Sequence, residues 1–245
     1  MSYLPEFQLE IVAEVSSTNA ALLALSSGIH GIALLAKKQT AGHGRRGRSW
    51  DFVEGNLALS FALELSGEAQ SIVPRLSFLT GVALFDTVRS FAPELDALIL
   101  KWPNDLMLRG KKLAGLLVEA RQSGAALRVV LGVGLNLRGA PNLPDAISLY
   151  EATGLEVPPE EFAQAFFLHL SSHASLLDDY TKLRAAWERR SLKAGETVFY
   201  GDRDHPASMR RATLLGLLGS GALLVRDEAR GEEVALLSED TSLRF

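Results

Sequence analysis

Residues 37–50, Lys-Lys-Gln-Thr-Ala-Gly-His-Gly-Arg-Arg-Gly-Arg-Ser-Trp, constrain the chain most, because five Lys/Arg and no Asp/Glu share this stretch with three glycines. Gly42, Gly44 and Gly47 let the backbone adopt positive φ and approach a ligand, and the arginines between them offer forked donors for phosphate or carboxylate. A solvated basic turn would carry the same charge. The apolar run Gly31 to Ala36 before it and the indole of Trp50 after it favour a bounded site, delivered by a strand and closed by a ring. The reading is a loop for a nucleotide or an acyl phosphate, in a chain of 245 residues whose formal net charge is -4.

That net acidity argues against a general nucleic-acid binder, which usually spreads basic charge over a whole face. Zero cysteines exclude disulfides, thiolate metal sites and cysteine nucleophiles together, and fit a reducing, cytoplasmic setting. No leader pattern opens the chain, and no window looks apolar for long enough to span a membrane. Ordinary composition, with 47% hydrophobic residues, predicts one or two globular domains.

The hydrophobic pattern predicts a strand over Phe7 to Val15, capping hydroxyls at Ser16-Ser17-Thr18-Asn19, and a short helix that stops at Gly28. Further strands are expected at Gly31 to Ala36 and Asn56 to Leu65. Pro74 opens a helix that ends at Pro93 and whose apolar stripe is core. Residues 97–108 form two short strands joined by the corner Lys101-Trp102-Pro103-Asn104-Asp105. Lys111 to Glu119 and Leu127 to Leu137 complete a set of hairpins in one sheet. Gly115, Gly132 and Gly134 within these strands mark places where another backbone or a flat ligand comes close. Residues 141–159 read as loop, Glu160 to Tyr180 as one helix, and a further helix runs to about Arg190. From Gly195 the texture changes to short strands at Thr197 to Tyr200, Ala212 to Leu218, Ala222 to Val225 and Glu233 to Leu237. These make a small barrel or sandwich with a tight turn at Gly219-Ser220-Gly221.

Four motifs in register then resemble one family. Gln39 through Trp50 is similar to the basic glycine loop of biotin protein ligases, and Lys101 to Leu106 to that family's second signature. Lys112 to Glu119 resembles its lysine-bearing strand, and Gly132-Val133-Gly134-Leu135-Asn136-Leu137 its glycine and asparagine strand. Ser17-Thr18-Asn19 matches its biotin-pocket motif. The resemblance implies an α+β fold. Residues 1–190 would be a class II synthetase-like catalytic domain, with a mixed central sheet and flanking helices, and residues 191–245 an SH3-like barrel. It implies ATP-dependent activation of biotin to biotinyl-5'-AMP with Mg²⁺, then transfer to a lysine of a biotin carboxyl carrier domain.

Carried onto this sequence, the resemblance gives Ser17, Thr18, Asn19, Gln39, Gly42, His43, Gly44, Arg45, Lys112 and Gly115 to biotin. It gives Arg45, Arg46, Arg48, Trp50, Asn104, Lys112 and Asn136 to ATP, and Lys112, Arg48 and Arg45 to catalysis. Asp105 has two readings, metal contact and turn former. Trp102 and Pro103 read as a core corner. His43 departs from the pattern, since the bacterial family commonly has arginine there and neutral imidazole holds phosphate less firmly. With a strand and helix beginning almost at Met1, the chain resembles the class without an N-terminal DNA-reading domain, and a homodimer through sheet pairing fits the family. Two rivals remain, a lipoate or octanoate ligase or transferase of the same fold and a non-catalytic adaptor that senses biotin.

Overall fold

The computed structural model describes residues 3–25, 27–141, 143–202, 205–237 and 242–244. The expected domain ends at residues 1 and 245 lie outside the described residues. The elements run β1 (Gln8–Val12), α1 (Thr18–Ala24), β2 (Ile32–Ala36), β3 (Leu57–Ser66), α2 (Val73–Phe91), β4 (Leu98–Lys101), β5 (Asp105–Leu108), β6 (Lys111–Ser123) and β7 (Ala126–Leu135). Then come α3 (Leu149–Thr153), α4 (Pro159–Ser172), α5 (Tyr180–Glu188), β8 (Thr197–Gly201), β9 (Arg210–Leu217), β10 (Leu223–Asp227), β11 (Glu233–Leu236) and β12 (Ser242–Arg244).

The first seven strands form one mixed sheet in the order β1-β2-β3-β7-β6-β5-β4, parallel only at β1 and β2. Helix α1 is the crossover that a parallel pair requires. Alternation along the long strands sorts the two faces of this sheet. Leu57, Leu59, Phe61, Leu63 and Leu65 of β3 and Val129, Leu131, Val133 and Leu135 of β7 belong to the main core, together with α2 and α4. The intervening positions turn to the other face, where bulk is stripped away to Ala58, Ser60, Gly132 and Gly134. That bare floor is what creates room for a site. Farther along the same face Leu34, Ala62 and Val130 pack under Leu22 of α1 and Ile29.

The last five strands form a separate antiparallel sheet, β11-β10-β9-β8-β12, as the resemblance to an SH3-like domain anticipates. It shares its apolar core with the first sheet, because Val198, Leu214, Leu217 and Val225 join the same cluster as Phe78 and Trp187. Trp102 fixes the junction. Its ring is buried at a corner with a cis Trp102-Pro103 peptide, and its Nε1 donates to Gly221 O at 3.1 Å. Glu188 adds a second tie by accepting from Leu217 N.

Three expectations change. The span read as one helix from Glu160 to Tyr180 breaks, with a 3-10 turn at Ala174–Asp178 between α4 and α5. Asp179 starts the new helix by accepting from Thr181 N and Lys182 N. The stretch read as loop contains α3, closed by a capping box between Ser148 and Glu151. Residues 67–91 do form a helical segment long and apolar enough by length and composition to cross a membrane. Here that segment is a core helix, with Leu79, Val82 and Leu84 fully enclosed.

Candidate active site

The parallel pairing of β1 with β2 builds one end of the site. It continues past the strands as a bridge between Val15 and Gln39, with Thr40 N donating to Val15 O and Ala41 N to Ser16 O. The start of α1 is thereby held beside Gln39. Ser17 caps the helix by accepting from Ala20 N, and Thr18 N donates to Gln39 Oε1 at 3.0 Å. Ser17, Thr18 and Asn19 are all buried, yet each lines a cleft of about 310 Å³ that opens over the bare face of the sheet.

The basic loop closes over that cleft as a small hairpin. Trp50 N donates to Gly42 O, His43 bridges Ser49, and Gly44 N donates to Arg48 O, with a 3-10 turn at Arg45–Gly47. Gly47 sits at φ 68, the left-handed region where glycine has no steric cost. Arg46, at φ 59, is exposed at the tip and outside the cleft lining. Gly42 also lies outside the lining, and a Cβ there would collide with the Gln39 amide and Trp50 O. Arg45 and Arg48 do line the cleft. Arg45 Nη1 donates to Asn104 Oδ1 at 3.3 Å, and Arg48 Nε donates to Arg45 O at 3.4 Å.

Trp50 rests on the sheet. Gly115 and Gly134 are cross-strand partners, and a Cβ added to Gly134 would stand 2.6 Å from Trp50 Cε2. One added to Gly115 would stand 3.2 Å from both the indole and the Lys112 ammonium. Gly132 serves Asn19 in the same way, since a Cβ would come within 2.5 Å of Asn19 Oδ1. The close approach expected at these glycines is therefore made by the chain's own Trp50 and Asn19.

Lys112 lies where these parts meet. Its Nζ stands 2.7 Å from Asp105 Oδ1 and 5.5 Å from the centre of the Trp50 ring. Asp105 Oδ1 is buried and its contact with Lys112 is an ion pair without aligned hydrogen-bond geometry. Asn104 Nδ2 donates to Leu116 O, which fixes the amide beside Arg45. Asn136 is almost fully buried; its Nδ2 donates to Ile147 O and its Oδ1 accepts from Asn56. One hydrogen and one lone pair of that amide stay available to the cleft.

Several positions that hold this site escape sequence reasoning. Ser60 is fully buried in β3, with its Oγ 2.7 Å from Thr18 Oγ1 and 2.5 Å from Asn19 Oδ1. Glu119 accepts from Asn19 Nδ2 at 2.8 Å through one oxygen and lies 3.4 Å from His43 Nε2 through the other. Asn56 accepts from Arg138 N and Gly139 N, and supports Asn136 from beneath. A polar side chain inside an otherwise apolar strand was the available signal for Ser60. Among the described residues, no group of three His, Asp or Glu is spaced to hold a metal ion. Asp51, Asp105 and Asp145 line the cleft as separate carboxylates.

Comparison with known proteins places the chain among relatives. Residues 12–136 match the Biotin/lipoate A/B protein ligase family. A biotin--[acetyl-CoA-carboxylase] ligase of Paracoccus denitrificans is 36% identical over 94% of this chain and 98% of its own length. One from Mycobacterium tuberculosis is 42% identical over 78% of this chain and 73% of its own. Among solved structures, the biotin protein ligase of Aquifex aeolicus in complex with biotin and ATP superposes with a TM-score of 0.77 at 28% identity, covering 96% and 98% of the two chains.

Proposed function

The chain belongs to the Biotin/lipoate A/B protein ligase family, and from that premise we propose that it is a biotin ligase acting on a biotin carboxyl carrier domain. The biotin carboxylate attacks the α-phosphate of ATP, pyrophosphate leaves, and a mixed anhydride forms. A lysine amine of the carrier then attacks the acyl carbon and AMP leaves. No covalent enzyme nucleophile is needed. One observation carries the reading: a single cleft joins Ser17, Thr18, Asn19 and Gln39 with Arg45, Arg48, Asn104, Lys112 and Asn136.

The two sets differ in chemistry. Buried hydroxyls and amides suit the polar ureido ring, and the cationic set suits the point where two anions must approach each other. Lys112, already paired with Asp105, is assigned to the oxygens that gain charge in both steps. Arg45 is assigned to the phosphates, Arg48 to loop closure and Trp50 to a flat apolar contact with adenine. Gly42 and Arg46 are assigned to shaping and tipping the loop, and Gly44, His43 and Gly115 to the carboxylate end.

Mg²⁺ belongs to the proposal as a partner of the triphosphate. It commonly binds through phosphates and only one or two carboxylates, so the donors present fit it, and Asp105 is the carboxylate assigned to it. The carrier is proposed to dock where β6 outruns β5. Pairing with β5 ends at Gly115, and residues 117–123 leave an outer edge unpaired among the described strands. The same edge suits a homodimer through sheet pairing. Residues 1–190 are proposed as the catalytic unit and 191–245 as the appended SH3-like one. The location is proposed as cytoplasmic, with no nucleic acid among the partners.

Transfer of biotin to a purified carrier domain tests the reading. Biotinylation of one carrier lysine, dependent on ATP, supports it. A chain that binds biotin and ATP without transfer would be the sensing adaptor.

A further inference from the structure

Asn19, Ser60 and Thr18 form a chain of short polar contacts whose direction is set at its far end by Glu119. A carboxylate only accepts, so Asn19 must turn Nδ2 toward Glu119 Oε2, 2.8 Å away, and Oδ1 toward Ser60. Asn19 Oδ1 in turn only accepts, so the Ser60 hydroxyl spends its one hydrogen across the 2.5 Å contact to it. Ser60 Oγ then has lone pairs alone for Thr18, and the 2.7 Å contact between them is made by the Thr18 hydrogen. The alternative use of that hydrogen, on Gln39 Oε1 at 3.2 Å, would leave two oxygens facing each other without a proton. Gln39 Oε1 is satisfied in any case by Thr18 N.

We propose that Glu119 is a positioning residue which, through Asn19 and Ser60, makes the Thr18 hydroxyl an obligate acceptor toward the cleft and so selects a ligand that presents an N–H. Glu119 is not part of the cleft lining, and Ser60 is fully buried, so both act through Thr18 and Asn19. The absent side chain at Gly132 completes the device by leaving space for the Asn19 amide. Burial makes the direction binding, because water cannot supply a missing proton to Ser60 or reverse the chain. The second carboxylate oxygen lies beside His43 of the basic loop, so Glu119 touches both ends of the site.

This inference rests on biotin being the ligand, whose ring carries two N–H groups. The test compares biotin with its cyclic carbamates, in which either ring N–H is replaced by oxygen, by calorimetric titration of wild type, Ser60→Ala and Glu119→Ala. Wild type should prefer biotin over the worse carbamate by on the order of 100-fold, since a lone pair facing a lone pair is poorly tolerated. Both variants should lower that preference at least tenfold, because the Thr18 hydrogen is then released from Ser60 and can turn to the cleft. Its remaining contact to Gln39 Oε1 is longer, at 3.2 Å, and that oxygen already accepts from Thr18 N. An unchanged preference in both would overturn the proposal, even if overall affinity fell. A ligand-free measurement separates this from failure of the biotin reading. The Asn19 side-chain NH2 resonances, assigned by their loss in Asn19→Asp, should be widely split in wild type and converge in Glu119→Ala. Unmoved resonances would show that Glu119 does not orient the amide.

Discussion

Lys112 Nζ and Asp105 Oδ1 stand 2.7 Å apart, across neighbouring strands of the hairpin that Lys111 closes. The pair neutralises the only carboxylate oxygen that the fold buries here without an aligned donor among the described residues. Lys112→Ala should lower biotinyl-adenylate synthesis by about 10²-fold or more, as loss of a charge aimed at a developing anion does. It should also destabilise the protein by about 1–3 kcal/mol, because Asp105 is left without its partner. Adding Asp105→Asn should restore the thermal midpoint and leave synthesis lost. A double variant that recovered synthesis would assign the activity to something other than the Lys112 charge.

Arg48 ties the tip of the hairpin loop through Arg45 O. Loop closure keeps water from a reactive anhydride, so Arg48→Ala should release biotinyl-adenylate into solution several-fold faster than wild type. A rapid-filtration assay of retained adenylate reads this directly. Equal retention would show that Arg48 takes no part in closure.

How far this was legible before any coordinates depended on how local the signal was. Alternation and flanking Gly or Pro marked β3, β7 and α2 to within a residue or two, because those segments bury a continuous stripe. By contrast β6 runs to Ser123, four residues past the expected end at Glu119, through the polar, exposed Arg121 and Gln122. The break after Ser172 was missed because Phe162, Phe166, Leu170 and Leu177 keep an apolar rhythm across it, and the cap at Asp179 is a single residue. The glycines at 132 and 134 were legible as points of close approach. Their partners were not, since Trp50 and Asn19 arrive from distant segments. Asn56 and Glu119 act through tertiary pairing alone, which no local pattern encodes, and Ser60 showed only as a polar residue inside an apolar strand.

Gly134 offers a steric test of the Trp50 platform. A Cβ already collides with the indole ring, so Gly134→Val should displace Trp50 and raise the KM for ATP about tenfold, equivalent to about 1.4 kcal/mol. Trp50 fluorescence, isolated by comparison with Trp50→Phe, should shift toward that of a solvated indole. Unchanged emission with unchanged KM would remove Trp50 from the nucleotide site.

Asp86 reports on the back of the molecule. Burial alone would push its carboxyl up, but hydrogen bonds from His173 and Arg190, reinforced by their charges, outweigh it and hold it down at about 2. A depressed carboxylate contributes stability that is present above its unfolded pKa of about 3.9 and lost as pH falls toward about 2. Urea unfolding at pH 5 should therefore show Asp86→Asn less stable than wild type, on the order of 2 kcal/mol. At pH 2.5 the difference should shrink to less than half. A constant difference across that range would mean that the loss comes from packing alone.

The central claim is that this cleft activates biotin with ATP before any carrier is present. ATP–pyrophosphate exchange, measured with biotin, octanoate and lipoate in turn, tests it most directly. Exchange that requires biotin, disappears in Lys112→Ala and is negligible with octanoate or lipoate is the predicted result. Exchange driven by octanoate or lipoate but not by biotin, or no exchange with any acid in a protein that binds both ATP and biotin, would contradict it.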